Sequence, residues 1–150
     1  MKENLKPYVY KQSKIIRSAK CEGSRSEGER REMIQSYKDL MVYQKSYELA
    51  LLVHKMTQDF PLHEKYELAS QLRRATTSIP LNIAEGYAKR SYEKDFKRAL
   101  IIALGSCNEV LVILDMVQDL GYIEEVQHQE LTEEYDHLAR QLNVLAAKWK

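Results

Sequence analysis

The stretch "LTEEYDHLARQLNVLAAKW", residues 131–149, carries apolar side chains at Leu131, Tyr135, Leu138, Leu142, Leu145 and Trp149. The steps alternate four and three without a miss. On a helix of 3.6 residues per turn this spacing lines the six up on one side, the seam of a helix bundle or coiled coil. A helix over roughly Glu124 to Trp149 has no partner of its own for that seam, so the rest of the chain must supply one.

Three more segments qualify. The first runs roughly Leu40 to Gln58, with Asp39 as N-cap and Leu40, Tyr43, Tyr47, Ala50, Leu51 and His54 as its stripe. Phe60-Pro61 ends it, because a residue before proline is pushed out of the α region. The second runs roughly Glu64 to Lys89, with Leu68, Leu72, Ala75, Ile79 and Ile83 on one face. The third starts at Ser91, a good N-cap, and runs to Leu120, where Gly121 fits the left-handed position after a helix. The connections are short, which forces neighbours antiparallel. The expected fold class is all-α, an antiparallel up-down-up-down four-helix bundle; no sequence period supports a helical repeat array.

Bulk composition agrees. The chain has 150 residues, 44% hydrophobic, with five Gly and three Pro, enough for one domain with a single core. No uninterrupted apolar run reaches the length of a membrane span, and no apolar stretch follows the basic start as a secretion signal needs. Cys21 and Cys107 suggest neither a disulfide framework nor a zinc site, so a cytoplasmic setting is expected. Residues 1–36 hold nine Lys/Arg against five Glu and few core-forming residues after Ile16. They read as a basic, disordered tail, either an electrostatic arm or a solvated extension, before a domain over 37–150.

"ALIIAL" (99–104) and "VLVIL" (110–114) are apolar on every face. In a lone four-helix bundle each helix keeps one side in water, so the surplus points to a second buried surface between copies, a homo-oligomer.

Chemistry is sparse. There is no phosphate loop, no G-x-S-x-G and no H-E-x-x-H. Glu134-x-x-His137 has di-iron spacing, with Glu85 and Glu109 as single glutamates, but a second Glu-x-x-His is missing and His137 falls outside the seam. Ser78, Ser106 and Cys107 have no histidine placed to activate them. No enzyme, metal or cofactor is expected. Polar residues do lie on or beside the apolar faces: Gln71, Ser78, Asn82, Glu85 and Glu109. Buried, they need partners; they read as a polar network fixing helix register or subunit contacts, with a ligand site as the alternative. Pro80 removes an N–H at a cost of about 3 kcal/mol in a helix interior, so a kink is expected there, or a break with Ser78 capping the restart.

Charge is unevenly placed. Residues 73–98 hold seven cations (Arg73, Arg74, Lys89, Arg90, Lys94, Lys97 and Arg98) against three acids, and residues 99–136 hold nine acids and no Lys or Arg. The bundle is expected to be basic at the end carrying the second connection, with Lys38, Lys45, Lys148 and Lys150 nearby, and acidic at the other. A basic end focuses field on a polyanion; an ordinary mixed surface is the plainer alternative.

"QLRRATTSIPLNIAEGYAKRS" (71–91), "FKRALIIALGSCNEV" (96–110) and "LGYI" (120–123) resemble the bacterial four-helix bundle family of 23S rRNA intervening-sequence proteins. "YKDLMVYQKSYELALLVHKMT" (37–57) and "FP" (60–61) stand where that pattern expects them. The accessory variability determinant proteins of retroelements are similar more distantly. The resemblance implies a four-helix protomer in a homopentamer with a central channel, and the retroelement relatives imply a basic surface for nucleic acid. The function expected is non-enzymatic, low-specificity RNA or DNA binding through Lys89, Arg90, Lys94, Lys97 and Arg98, with Arg73 and Arg74 as further contacts. A protein-interaction scaffold, with a protein partner and no nucleic acid, is the rival reading.

Overall fold

The structure, a computed structural model, describes Ile34–Lys150. Residues 1–33, most of the expected tail, lie outside the described residues. Four α-helices follow one another: α1 (Met41–Met56), α2 (Leu68–Ala88), α3 (Glu93–Asp119) and α4 (Glu125–Lys148). Among the described residues there is no strand. Each helix packs on the next, and α4 closes back on α1.

The starts of the helices depart from the expected caps. Asp39 does not cap α1. It sits in a 3-10 turn, Tyr37–Asp39, whose N-cap is Ser36. The Asp39 carboxylate accepts from the Gln35 and Ser36 N–H groups at 3.0 and 2.8 Å. The turn satisfies its own donors and hands the chain to α1 through Leu40, whose side chain is buried. Glu64 likewise precedes α2, in the 3-10 turn Leu62–Tyr66, and reaches the Leu68 N–H at 3.3 Å. Ser91 is not the cap of α3 either, since the helix begins two residues later behind Tyr92.

Helix ends fit better. Gly121 has φ +78°, and the Gly121 and Tyr122 N–H groups bond the Gln118 and Val117 carbonyls at 2.9 Å each. This is a Schellman closure, with Gly121 in the left-handed position that the sequence predicts and that glycine adopts without strain. At α4 the Glu124 and Gln127 side chains form a reciprocal capping box.

The core matches the stripes of α2 and α4. Leu72, Ala75, Ile79 and Ile83 are buried on α2; Leu131, Tyr135, Leu138 and Leu142 on α4. On α1 the expected stripe holds in part: Leu40 and Ala50 are buried and Tyr43 packs on the core. Val42, Ser46, Leu49, Val53 and Met56 face the core, while Tyr47 and Leu51 are exposed. α1 carries two apolar rows side by side, and the row without phenol hydroxyls goes in.

Pro80 does not break α2, which runs unbroken through it with Pro80 buried. Nearby side chains bond the backbone instead: Ser78 Oγ donates to the Ala75 carbonyl at 2.8 Å and Asn82 Nδ2 to the Ser78 carbonyl at 2.7 Å. Between helices, His54 bonds Thr77 at 2.8 Å, the Ser78 and Ser106 hydroxyls share a hydrogen bond at 2.6 Å, and Lys45 of α1 pairs with Glu134 of α4. In the buried centre, the Tyr135 hydroxyl hydrogen-bonds Thr76. Burial raises the Tyr135 phenol above its ordinary range, with the Thr76 bond pulling it partway back. Burial also pushes the Cys107 thiol up to about 12.

α2 and α3 approach closely at Gly86. A Cβ there would lie 2.4 Å from the Cβ of Ala99 and 3.1 Å from the Phe96 ring. Ala99 Cβ cannot rotate away, so the helices would have to part. Gly86→Ala is expected to cost about 1–2 kcal/mol, overpacking outweighing alanine's better helix propensity. A denaturant midpoint equal to that of the parent protein would show that the approach is not tight.

With its pKa near 12, Cys107 is thiolate in roughly one molecule in ten thousand at pH 8. In a Cys21→Ser variant, maleimide is expected to leave Cys107 unmodified in the native protein and to label it fully in guanidinium. Rapid native labelling would contradict its burial.

Candidate nucleic-acid interface

The turn between α2 and α3, Lys89 to Tyr92, is the tip where the expected basic residues gather. Its backbone is closed by Lys89 N–H to the Gly86 carbonyl (2.9 Å), Arg90 N–H to Tyr87 (3.1 Å) and Tyr92 N–H to Lys89 (2.8 Å). Side chains lock it further. The Arg90 guanidinium lies 4.3 Å over the Tyr87 ring and donates to the Tyr87 carbonyl at 3.2 Å. Tyr87 packs edge-on against Phe96, and Phe96 against Trp149 with centroids 4.5 Å apart. The Trp149 indole N–H reaches the Arg90 carbonyl at 3.4 Å. The end of α4 therefore clamps the turn.

From Lys89 to Arg98 the tip holds five cations (Lys89, Arg90, Lys94, Lys97 and Arg98) and two carboxylates (Glu93 and Asp95). Their states differ. Lys89 pairs with Glu85 at 3.0 Å and Lys97 pairs with Glu93, both one helical turn apart. Lys94 and Arg98 are exposed and make no hydrogen bond or ion pair among the described residues.

Arg73 and Arg74 do not belong to this set. At about 1.5 Å rise per residue, Arg73 stands roughly 24 Å down α2 from Lys89. There the Arg73 guanidinium donates to Thr57 Oγ1 at 3.2 Å and to the Lys65 carbonyl at 2.8 Å, tying α1 and the Leu62–Tyr66 turn to α2. Arg74 pairs with Glu109 of α3 at 3.5 Å. Sequence proximity grouped them with the tip; the helix length separates them.

The five polar residues expected as one network divide as well. Ser78 and Asn82 are half-buried and joined through the Ser78 backbone, and Ser106 of α3 completes that set. Gln71, Glu85 and Glu109 are exposed on this chain, Glu85 and Glu109 being held by Lys89 and Arg74. The reason is angular: these three sit at the edge of the α2–α3 seam, where long side chains reach water.

The far end is acidic. Tyr122 donates to Glu64 Oε1 at 2.9 Å, and this bond, with burial and the Glu64 charge, raises the Tyr122 phenol. His128 meets Asp115 at 2.6 Å. Among the described residues no three His, Cys, Asp or Glu side chains gather as a metal site requires. Glu134, the carboxylate of the di-iron spacing, is engaged by Lys45, and His137 is exposed.

A second surface lies along α3, where Ile101 and Val112 are each 60% exposed and Ile102, Met116 and Leu120 are exposed too. By length and composition α3 is apolar enough to cross a membrane. A search for an uninterrupted apolar run passes over it because Asn108 and Glu109 divide it. Its other face is buried, with Phe96, Leu100, Ala103, Cys107, Val110 and Leu114 in the core.

Tyr92 and the Tyr87–Phe96–Trp149 clamp are the tip residues that sequence reasoning missed. The signal available was an aromatic next to each basic cluster.

A crystal structure of a protein of unknown function from the S23 ribosomal protein family of Bacteroides thetaiotaomicron has the same fold, with TM-score 0.66 and 26% identity, covering 71% of this chain and 96% of that one. No curated protein matches. The family model described as 23S rRNA-intervening sequence protein matches residues 38–144, which include all four helices nearly to the end of α4. The chain belongs to the 23S rRNA-intervening sequence protein family.

Proposed function

We propose that this protein is a non-enzymatic, antiparallel up-down-up-down four-helix bundle that self-associates in the cytoplasm, as a homopentamer, and binds RNA or DNA with low sequence specificity through the α2–α3 tip. The observation that carries the binding is the pair of cations Lys94 and Arg98, exposed and without a partner among the described residues, on the first turns of α3 beside the turn that Trp149 holds. Cations that neutralise nothing inside the protein are available to phosphate, and a rigid mount lowers the ordering cost of contact. Phosphate contacts position a nucleic acid without reading its sequence.

The antiparallel arrangement is supported by the ends that meet. His128 in the first turn of α4 bonds Asp115 near the end of α3, while Trp149 after α4 reaches Arg90 before α3. Self-association is supported by the exposed apolar row on α3. A closed ring of five needs two different faces per protomer. Tyr47 and Leu51 on α1, with Leu81 on α2, offer the second, beside the groove marked by the His54–Thr77 bond. The same exposed rows favour the scaffold reading if their occupant is another protein.

Fluorescence anisotropy on structured RNA and duplex DNA tests the binding. With three to five phosphates neutralised, affinity is expected to fall roughly 40- to 500-fold between 50 and 200 mM salt. Replacing Lys94, Lys97 and Arg98 together by Glu should abolish binding at the higher salt; unchanged affinity would overturn the reading.

Light scattering tests assembly. The parent protein is expected to run as a multimer, and Val112→Glu with Met116→Glu to run as single chains of unchanged helicity. A monomeric parent protein would leave the α3 row to a different partner and favour the scaffold.

A further inference from the structure

The aromatic side chains at the tip are not equivalent. Tyr87, Phe96 and Trp149 are spent on one another and on Arg90. Tyr92, the residue just before α3, is 70% exposed. Among the described residues its ring meets no other ring and its hydroxyl has no hydrogen-bond partner. Its backbone is fixed by the bond to the Lys89 carbonyl. Arg90 and Lys94 flank it by two residues on either side, with Glu93 and Asp95 as the nearby acids. The fold thus holds an aromatic face in water on a rigid turn, among cations in excess.

We infer that Tyr92 is a stacking platform for an unpaired base, so that the tip takes single-stranded nucleic acid in preference to duplex. This rests on the proposed binding of nucleic acid at the tip and adds the substrate class. Charge alone argues the other way, because a duplex presents phosphates at higher density and attracts cations more strongly. In a duplex the base faces are already stacked inside, and a tyrosine on a turn cannot reach them. In a single strand every base offers a π-face, so stacking is tolerant of sequence while phosphates bind Lys94 and Arg98. Single-strand preference is therefore a signature that the basic residues cannot produce by themselves.

The test is anisotropy with a labelled 20-nucleotide oligouridylate and a blunt-ended RNA duplex of equal charge, using the full chain. Oligouridylate is expected to bind more tightly. Tyr92→Ala should weaken it about tenfold and leave the duplex unchanged, while Tyr92→Phe restores it. Tyr66→Ala serves as control, since Tyr66 is 81% exposed but stands beside Glu67 at the acidic end; no loss is expected. Tighter duplex binding, or a Tyr92→Ala variant that behaves as the parent protein, overturns the platform. If Lys94→Glu with Arg98→Glu still abolishes binding in that case, the basic tip stands without it. If neither probe binds the parent protein at low salt, the tip reading and the platform fall together.

Discussion

The close approach of α2 and α3 at Gly86 is the constraint from which the tip follows. With no side chain at Gly86, Ala99 and Phe96 come within contact of the α2 backbone. Phe96 is then placed between Tyr87 and Trp149, and Trp149 is placed to reach the Arg90 carbonyl. One missing methyl group thereby aligns the end of α4 with the α2–α3 turn. A bulkier residue would not only cost packing energy. It would move Phe96, release the indole and loosen the turn that carries Lys89 and Arg90, where ordering them on a ligand costs more.

The bundle was legible in the sequence wherever one apolar row dominated a helix. Leu131 to Leu142 and Leu72 to Ile83 have no competing row, and they lie in the core as their spacing requires. α1 was not legible in this way. Its two rows, Val42-Ser46-Leu49-Val53 and Tyr43-Tyr47-Leu51-His54, both follow helical spacing and run side by side. The outcome turns on hydroxyls and ring nitrogens that need water or a neighbour, such as the His54–Thr77 bond, against a serine small enough to satisfy itself on the Tyr43 carbonyl at 2.8 Å. Caps failed at Asp39 and Ser91 for a related reason: a good capping residue is also a good turn residue, and the turns at Tyr37–Asp39 and Lys89–Tyr92 compete for it.

At the site, residue types were legible and their availability was not. The pairs Glu85–Lys89 and Glu93–Lys97 follow from one-turn spacing. That Arg73 belongs to the far end follows from helix rise. What no spacing shows is that Lys94 and Arg98 find no carboxylate on a neighbouring helix, or that Tyr92 stays exposed with no ring contact among the described residues while Tyr87 enters the aromatic clamp. Those facts depend on where α4 and α2 place their side chains. The same holds for the exposed row on α3, which composition marks as surplus without saying which residues remain uncovered.

The paired cations still bear on how strongly such a tip attracts a polyanion. Exposed ion pairs are worth about 0–1 kcal/mol, so exchanging Glu85 for a phosphate costs Lys89 little. The carboxylates, however, stay where they are. Glu85, Glu93 and Asp95 remain beside the incoming phosphates and repel them, and the five tip cations neutralise fewer than five phosphates' worth of charge. A single tip is thus a weak polyanion site by its own electrostatics. Affinity has to come from repetition of the tip by symmetry, which multiplies effective concentration, or from contacts that do not depend on charge. Two of the features left exposed, the apolar row on α3 and the aromatic ring at the tip, are suited to those two routes.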